Sequence, residues 1–241
     1  CRAAAAAKAY QNARVGSVGG SFTGMGDFLV SDERYQNDIG ATVAYMTPEI
    51  SASYVAKVTE EEVDEAYAKA SAAVEALELK NMLREEADQM EKYTVEVHKT
   101  EEYRAATRSG LAVRKWMEDE KLDSCTVNFL TLDICGLPKM PFPECCKILE
   151  RGQGYAGEGD VLTAGLVGAL MSVYPNSTFT EMFCPDWEQD VLLLSHMGES
   201  NPRLAKWKPL ITDLPFNYNS CGDTVGMYSC GRAGDVTIVN L

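Results

Sequence analysis

The chain has 241 residues, and 46% of them are hydrophobic, which is enough for one large or two modest domains with cores of their own. Its formal net charge of −14 argues against a surface that binds nucleic acid or anionic membrane, because clustered Lys and Arg bind phosphate groups. No apolar run approaches the roughly 20 residues that cross a bilayer. We therefore expect a soluble, cytoplasmic protein that binds neither nucleic acid nor membrane.

The first half of the chain alternates strand-like and helix-like segments. Residues 13–20 (ARVGSVGG) predict a short strand that runs into a glycine turn, and residues 35–48 contain a second strand. Thr59 is the candidate N-cap of a long polar helix that continues to about residue 92. Another helix is predicted from residue 100 to about residue 122.

The second half begins in the same way and then changes character. Residues 124–134 are β-branched and apolar, as in a buried central strand, and helices are predicted at about 143–151 and at 160–173. This alternation indicates a doubly wound, mainly parallel α/β sheet. After Pro175 the helical pattern ends, and short runs indicate the start of an antiparallel, barrel-like β domain; these runs are 178–183, 190–196, 210–216 and 236–241.

These patterns divide the chain into three predicted parts. Residues 1–14 are the tail of a preceding segment, residues 15–177 form the α/β central domain, and residues 178–241 form part of a C-terminal β domain. The chain lacks an initiator Met and stops on a strand-like run, so we expect it to be a piece of a longer polypeptide.

Eight cysteines are spread over the chain without a Cys-x-x-Cys pair, which disfavours zinc-ribbon and thioredoxin-like sites. A chain of this size and hydrophobic content does not need a disulfide scaffold. We expect reduced, mostly buried thiols at all eight positions: Cys1, Cys125, Cys135, Cys145, Cys146, Cys184, Cys221 and Cys230.

Three short segments carry the candidate chemistry. Glu158 stands in GYAGEGD, Glu181 in STFTEMF and His196 in LLLSHMGESNP. Two carboxylates and an imidazole, each near small residues, are a ligand set for a divalent metal with open positions. Each residue alone also has an ordinary explanation as a cap, an exposed strand residue or a core histidine. Asp160 suits the cap of the following helix better than Glu158 does.

Other candidates are weaker. Residues 152–157 (GQGYAG) match the dinucleotide pattern G-x-G-x-x-G, but a helix-like stretch precedes them and no ribose-binding acid follows at a suitable place. We interpret His98 as a structural or surface residue. Asp133 is a candidate for a residue that supports the site from behind the ligands. Glu199 is close enough to His196 in sequence to play the same supporting role.

The order and wording of the three segments resemble the L-arabinose isomerase family, within the wider arabinose/fucose isomerase group. MGDFLVSD (25–32), Gly136-Leu137 and Gly-Glu-Gly-Asp (157–160) also follow the family pattern. The match covers about residues 15–241 and is strongest between 98 and 202. The resemblance implies a further domain before this region and more strands after it.

The resemblance also implies a function. The expected reaction is an aldose–ketose isomerisation, L-arabinose to L-ribulose, through a cis-enediol and with Mn2+ as the metal. Glu158 and Glu181 would serve as metal ligands and as the acid/base pair, and His196 as a third ligand. Met25 and Thr131 would contact the sugar substrate, and the enzyme would be a homo-oligomer, a hexamer by resemblance.

Two departures from the family keep alternatives open. The family completes its metal site with a second, later histidine, and no histidine follows His196 in this chain, so either that residue lies beyond position 241 or the site is incomplete. Thr131 stands where arabinose isomerases carry an aromatic residue. One alternative is a fucose-isomerase-type enzyme, although that branch uses Glu, Asp and His as ligands. The other is a non-catalytic sugar-binding paralogue whose metal site has decayed.

Overall fold

The computed structural model describes residues 1–66, 100–207 and 209–241. Thr59 caps a helix that occupies 60–66: its hydroxyl accepts a hydrogen bond from Glu62 N, and the Glu62 carboxylate accepts one from Thr59 N. The rest of the helix predicted to reach residue 92 lies outside the described residues, and so does His98.

A four-stranded parallel sheet forms the centre of the fold, as predicted. Its strands are β1 (Arg14–Val18), β2 (Thr42–Met46), β3 (Ser124–Val127) and β4 (Gly154–Gly157), in the spatial order β2-β1-β3-β4. Val18 pairs with Val127, and Val127 pairs with Gly157, so the carboxyl ends of three strands are level. Loops that leave this edge are placed to meet, as in other open α/β sheets.

Helices cover both faces of the sheet, which confirms the α/β class. Side chains alternate along β1, so Val15 packs with Tyr10 and Tyr35 on one face, while Val18 packs with Trp116 on the other. The helices are α1 (Arg2–Gln11), α2 (Asp32–Asp38), α3 (Pro48–Ala56), α4 (Thr100–Asp119), α5 (Leu132–Cys135), α6 (Phe142–Glu150) and α7 (Val161–Met171).

The central strand is shorter than predicted. The extended run predicted for 124–134 ends at Val127, because the side chain of Asn128 accepts a hydrogen bond from Leu130 N at 3.0 Å. That contact turns the backbone into a 3-10 helix at Phe129–Thr131, and α5 follows.

Strand β4 was not predicted, because its sequence is rich in glycine. The GQGYAG pattern lies on this strand, and its glycines serve packing. A Cβ at Gly154 would clash with the backbone of Ala164 and Gly168, so only glycine lets α7 lie directly on the strand. Asp160 caps α7, accepting a hydrogen bond from Thr163 N at 2.9 Å, as predicted.

Two antiparallel hairpins follow the α/β layers, which confirms the predicted change of character. One consists of β5 (Glu181–Asp186) and β6 (Val191–Ser195), and the other of β7 (Leu210–Leu214) and β8 (Thr224–Tyr228). β8 was not predicted, and the strand expected at 236–241 is wrong, since that exposed run pairs with no described strand. Phe216 packs into the same core as Trp116. The three-part division of the chain stays a prediction.

All eight cysteines are free in the structure. Cys125, Cys135, Cys145 and Cys146 are buried, Cys221 is half-buried, and the other three are exposed, so burial is less general than expected. Within the described residues, no helix has both the length and the apolar character needed to cross a membrane.

Candidate metal centre

Glu158 occupies a left-handed turn at the carboxyl end of β4. Its φ is 63°, an uncommon value for a residue with a side chain, and Gly159 follows with φ of 81°. The loop after β1 holds this turn, because Phe22 N donates a hydrogen bond to the Glu158 carbonyl at 3.1 Å. A Cβ at Gly159 would clash with the carbonyl oxygen of Gly20. Packing against that loop therefore fixes the backbone that carries the Glu158 carboxylate.

Glu181 and His196 are brought together by the β5–β6 hairpin. Glu181 opens β5 and pairs with Ser195, the last residue of β6, so His196 follows directly beside it. The imidazole Nε2 lies 3.8 Å from Glu181 Oε2. The His196 side chain is only 9% exposed, and its ring packs against Phe179 at 4.7 Å between centroids. The histidine is thus held in a fixed place while Glu181 remains partly open to solvent.

The turn after β4 and the base of this hairpin converge. Glu158, Glu181 and His196 each offer one ligand atom, and these three atoms all lie within 4.8 Å of one another. Among the ion pairs of the described residues, none brings Lys or Arg to Glu158 or Glu181. Two carboxylates that share a partly buried space without a basic side chain fit a divalent cation, for which oxygen and imidazole are suitable ligands.

The pKa shifts in the cluster indicate a site that favours positive charge, either protons or a cation. Burial, and then the nearby Glu181, raise the pKa of Glu158 above its ordinary value. Burial alone would lower the pKa of His196, but Glu199, Glu181 and Glu158 outweigh it, and the net shift is upward. In the metal-free protein both groups therefore bind a proton more readily than the free side chains do, and a cation would compete with that proton.

Behind His196 lies a buried pair of side chains. His196 Nδ1 is 2.7 Å from Glu199 Oε2, at ion-pair distance but off the in-line direction of a hydrogen bond. Glu199 is 2% exposed, and the hydroxyl of Tyr155 donates to its other oxygen. Burial raises the pKa of Tyr155 well above its usual range, so it acts as a neutral donor. Glu199 therefore holds the Nδ1 side of the ring, which leaves Nε2 towards Glu181.

Gly157 makes room for this arrangement. A Cβ at position 157 would lie 2.7 Å from Glu199 Oε2 and 3.0 Å from His196 Cε1. The last residue of β4 must therefore lack a side chain for His196 and Glu199 to lie over the strand. Glu199 could be suspected from its nearness to His196 in sequence, whereas no local pattern pointed to the roles of Gly157 and Tyr155.

The predicted sugar-contacting residues lie on two neighbouring loops. Met25 is partly exposed in the loop after β1, the same loop that packs against Glu158. Thr131 follows β3, and its hydroxyl donates to the Gly19 carbonyl at 2.7 Å. Asp133, considered as a supporting residue, accepts a hydrogen bond from Ser220 instead and is exposed. Within the described part of the chain, no hydrogen bond given for Thr131 reaches the three candidate ligands, and the role of Met25 and Thr131 stays a prediction.

The known proteins that resemble this chain are L-arabinose isomerases. The family model described as the L-arabinose isomerase central domain matches residues 33–175, a stretch that includes Glu158 and ends before Glu181. The L-arabinose isomerase of Oceanobacillus iheyensis is 31% identical over 135 residues, which are 54% of this chain and 28% of that protein. The enzyme of Leuconostoc mesenteroides is 31% identical over 138 residues, 56% of this chain and 29% of its own length.

A longer match includes the segments of both Glu158 and Glu181. The L-arabinose isomerase of Levilactobacillus brevis is 26% identical over 210 residues, which are 86% of this chain and 41% of that protein. The chain therefore spans well under half the length of the curated relatives that it matches.

Proposed function

The chain belongs to the L-arabinose isomerase central-domain family, and from that premise we propose that it is part of a metal-dependent aldose–ketose isomerase. The proposed reaction is the conversion of L-arabinose to L-ribulose. The observation that carries the proposal is the cluster of Glu158, Glu181 and His196, three residues from separate segments whose ligand atoms approach within 4.8 Å.

The cluster suits the chemistry of this isomerisation. A proton must move between C2 and C1 of the open-chain sugar, while a second proton moves between the two oxygens, through a cis-enediol. A divalent ion held by Glu158, Glu181 and His196, which we propose to be Mn2+, supplies positive charge next to the sugar oxygens. Hard carboxylate oxygens with an imidazole are suited to that ion.

The two glutamates are the proposed proton carriers. One carboxylate removes the proton from C2 of the aldose and returns it to C1, and the other accepts the proton of the C2 hydroxyl and delivers it to O1. In the metal-free protein, burial and Glu181 raise the pKa of Glu158 above that of an ordinary glutamate, which supports its assignment as a proton carrier. His196 is proposed to act as a metal ligand only. Met25 and Thr131 are proposed to contact the sugar.

The sugar substrate, a homo-oligomeric state (a hexamer by resemblance) and a cytoplasmic location are parts of the same proposal. The family relation supports them. A sugar-binding paralogue without activity is the alternative that the following experiment distinguishes from the enzyme.

A substrate panel tests the proposal. The protein is stripped of metal with a chelator, reloaded with Mn2+, and assayed for ketose formation from L-arabinose and from L-fucose. We expect ketose from L-arabinose only in the reloaded sample. Turnover of L-fucose alone would indicate the fucose-type enzyme, and sugar binding without turnover of either sugar would indicate the paralogue.

A further inference from the structure

The loop after β1 is rich in glycine, and it contacts the turn that carries Glu158. Gly19 and Gly20 in this loop have positive φ values of 83° and 74°. Glycine restricts the backbone less than any other residue, so the loop sequence alone does not specify one conformation. Contacts from outside the loop must therefore fix its shape.

The segment that follows β3 supplies such contacts. The side-chain amide of Asn128 donates to the Ser21 carbonyl at 3.0 Å, and the Thr131 hydroxyl donates to the Gly19 carbonyl at 2.7 Å. Asn128 is 1% exposed, so loss of its partner would leave a buried donor unsatisfied. Its side-chain oxygen accepts from Leu130 N, which fixes the direction of the amide. Two side chains of one segment therefore hold two carbonyls of the glycine-rich loop.

The other two residues of this stretch contact the turn at Glu158. Phe22 N donates to the Glu158 carbonyl at 3.1 Å, and a Cβ at Gly159 would lie 2.2 Å from the carbonyl oxygen of Gly20. Contacts thus alternate along residues 19–22 between the segment after β3 and the turn after β4. A displacement of the loop away from β3 would therefore remove the support of that turn.

We propose that Asn128 and Thr131 are positioning residues for Glu158, which they hold in place through residues 19–22. The inference rests on the proposed function, in which Glu158 is a metal ligand and a proton carrier. Glu158 lies on a left-handed turn rather than on a helix or strand, so the accuracy of its position depends on the residues that support the turn. Neither Asn128 nor Thr131 needs to touch the metal or the sugar for this role.

Positioning is a different role from the sugar contact proposed for Thr131. It depends on the hydroxyl hydrogen that the Gly19 carbonyl accepts. The two segments also meet closely, because a Cβ at Gly19 would lie 2.5 Å from Thr131 Oγ1. Valine has the shape of threonine without the hydroxyl, and serine keeps the hydroxyl without the methyl group. Substitution of Thr131 by valine and by serine therefore separates the two roles.

Amide hydrogen exchange tests the positioning in the metal-free protein. Thr131→Val removes the hydrogen bond to Gly19, so the loop should open more often. The Phe22 amide reports this opening, because it donates to the Glu158 carbonyl. We expect its exchange to accelerate about five- to tenfold, the factor for the loss of one typical hydrogen bond.

Two variants are controls for this comparison. Thr131→Ser keeps the hydroxyl, and its Phe22 amide should exchange like that of the wild type. Thr224→Val loses a buried hydroxyl that donates to the Met140 carbonyl, also at 2.7 Å but outside the loop. The Phe22 amide should exchange at the wild-type rate in this variant too, which separates a local effect from a general loss of stability.

Asn128→Asp is an independent second variant. It keeps the oxygen that accepts from Leu130 N but replaces the donor to Ser21 by an acceptor. We expect faster exchange of the Phe22 amide here as well. In a Mn2+ titration, Asn128→Asp and Thr131→Val should each raise the dissociation constant about tenfold, the lower end of the effect of losing a group that orients a metal ligand.

The outcomes separate this proposal from the proposed function. Wild-type exchange of the Phe22 amide in both Thr131→Val and Asn128→Asp would overturn the positioning role, and so would equal acceleration in Thr224→Val. Faster exchange with an unchanged Mn2+ dissociation constant would overturn it too. A higher KM for the sugar in Thr131→Val, with neither other change, would leave Thr131 a sugar contact only.

A wild-type protein that binds no Mn2+ would instead overturn the proposed function. The exchange comparison would then still determine whether Asn128 and Thr131 hold the turn at Glu158, because it is made without metal.

Discussion

Glu199 Oε2 lies 2.7 Å from Nδ1 of His196, three residues earlier in the chain, and the two side chains are 2% and 9% exposed, respectively. The hydroxyl of Tyr155 donates to the other oxygen of Glu199 from β4. A carboxylate on the far ring nitrogen fixes the orientation of an imidazole ligand and increases its basicity. Glu199 and Tyr155 therefore connect β4 to the proposed ligand His196 without being proposed ligands themselves.

The first prediction concerns the contact between Glu199 and His196. Glu199→Gln keeps the size of the side chain but removes its charge, so the imidazole loses the group that favours a proton on Nδ1. We expect the dissociation constant for Mn2+ to rise about ten- to a hundredfold, the usual effect of losing such a partner. Isothermal titration measures it, with Glu188→Gln on the exposed hairpin as the control. An unchanged affinity in Glu199→Gln would show that His196 does not depend on Glu199.

The second prediction concerns Gly157. Gly157→Ala places a methyl group 2.7 Å from Glu199 Oε2 and 3.0 Å from His196 Cε1, so one of them must move. We expect weaker Mn2+ binding together with a loss of about 1–3 kcal/mol of folding stability, as for other overpacked sites. Gly231→Ala is the control, since no atom lies within 4 Å of a Cβ there and its φ is ordinary. Wild-type stability and affinity in Gly157→Ala would contradict this account.

Much of the fold could be predicted from sequence because the signals are local. β1 alternates between two packed faces, and Asp160 is followed three residues later by the Thr163 N–H that it caps. β4 could not be predicted, because three glycines within 152–157 are typical of a turn. Glycine is needed at position 154 because α7 packs directly on the strand, and this tertiary contact leaves no local signal in the sequence. Conversely, 236–241 is rich in β-branched residues, yet it pairs with no strand of the described residues, because β-propensity alone does not determine pairing.

The site was partly predictable for the same reason. Glu158, Glu181 and His196 became candidates because their three segments follow the order and wording of the L-arabinose isomerase family, whereas each residue alone has an ordinary explanation. Tyr155 could not be assigned, because its partner Glu199 is 44 residues away and neither residue has an unusual local pattern. The turn at Glu158 is likewise held by the loop after β1, through Phe22.

The third prediction is stabilisation by metal. A ligand that binds only the folded protein raises the free energy of unfolding by RT ln(1 + [L]/Kd), which is about 2.7 kcal/mol at a hundredfold excess over Kd. We expect Mn2+ to raise the melting temperature in calorimetry and a chelator to reverse the rise. His196→Ala should abolish the response. A mutant that responds to Mn2+ like the wild type would remove His196 from the ligand set.

The fourth prediction is that this stabilisation depends on pH. The pKa of Glu158 lies above its ordinary 4.5 and that of His196 above its ordinary 6.5, so protonation stabilises the metal-free fold at low pH. That contribution is complete below the unfolded pKa values and is lost as the pH rises through the folded ones. Bound protons compete with the metal, because the ligands must be deprotonated.

The increase in melting temperature caused by Mn2+ should therefore grow as the pH rises from about 5 to 8. The metal-free protein should lose stability through the upper part of that range, above 6.5, where His196 gives up its proton. Melting curves with and without Mn2+ across the range measure both. In His196→Ala the dependence above pH 6.5 should disappear, and a wild-type response that is flat with pH would rule out proton competition at this cluster.

The fifth prediction distinguishes the two glutamates from ordinary surface acids. Glu158→Gln and Glu181→Gln keep the shape of the side chain but remove its charge and its basicity. Loss of a positioned general base typically lowers the rate by 10²–10⁴, and a weakened metal site adds to the loss. Glu188→Gln, at an exposed position of the same hairpin as Glu181, should leave turnover nearly unchanged.

Turnover of L-arabinose at saturating Mn2+ measures this difference, and a parallel Mn2+ titration separates lost ligation from lost proton transfer. Because a glutamine side chain cannot accept a proton, Glu158→Gln should stay slow even where excess Mn2+ restores occupancy of the site. If either variant keeps more than about a tenth of the wild-type rate, that residue is not the acid/base group, judged against the expected loss.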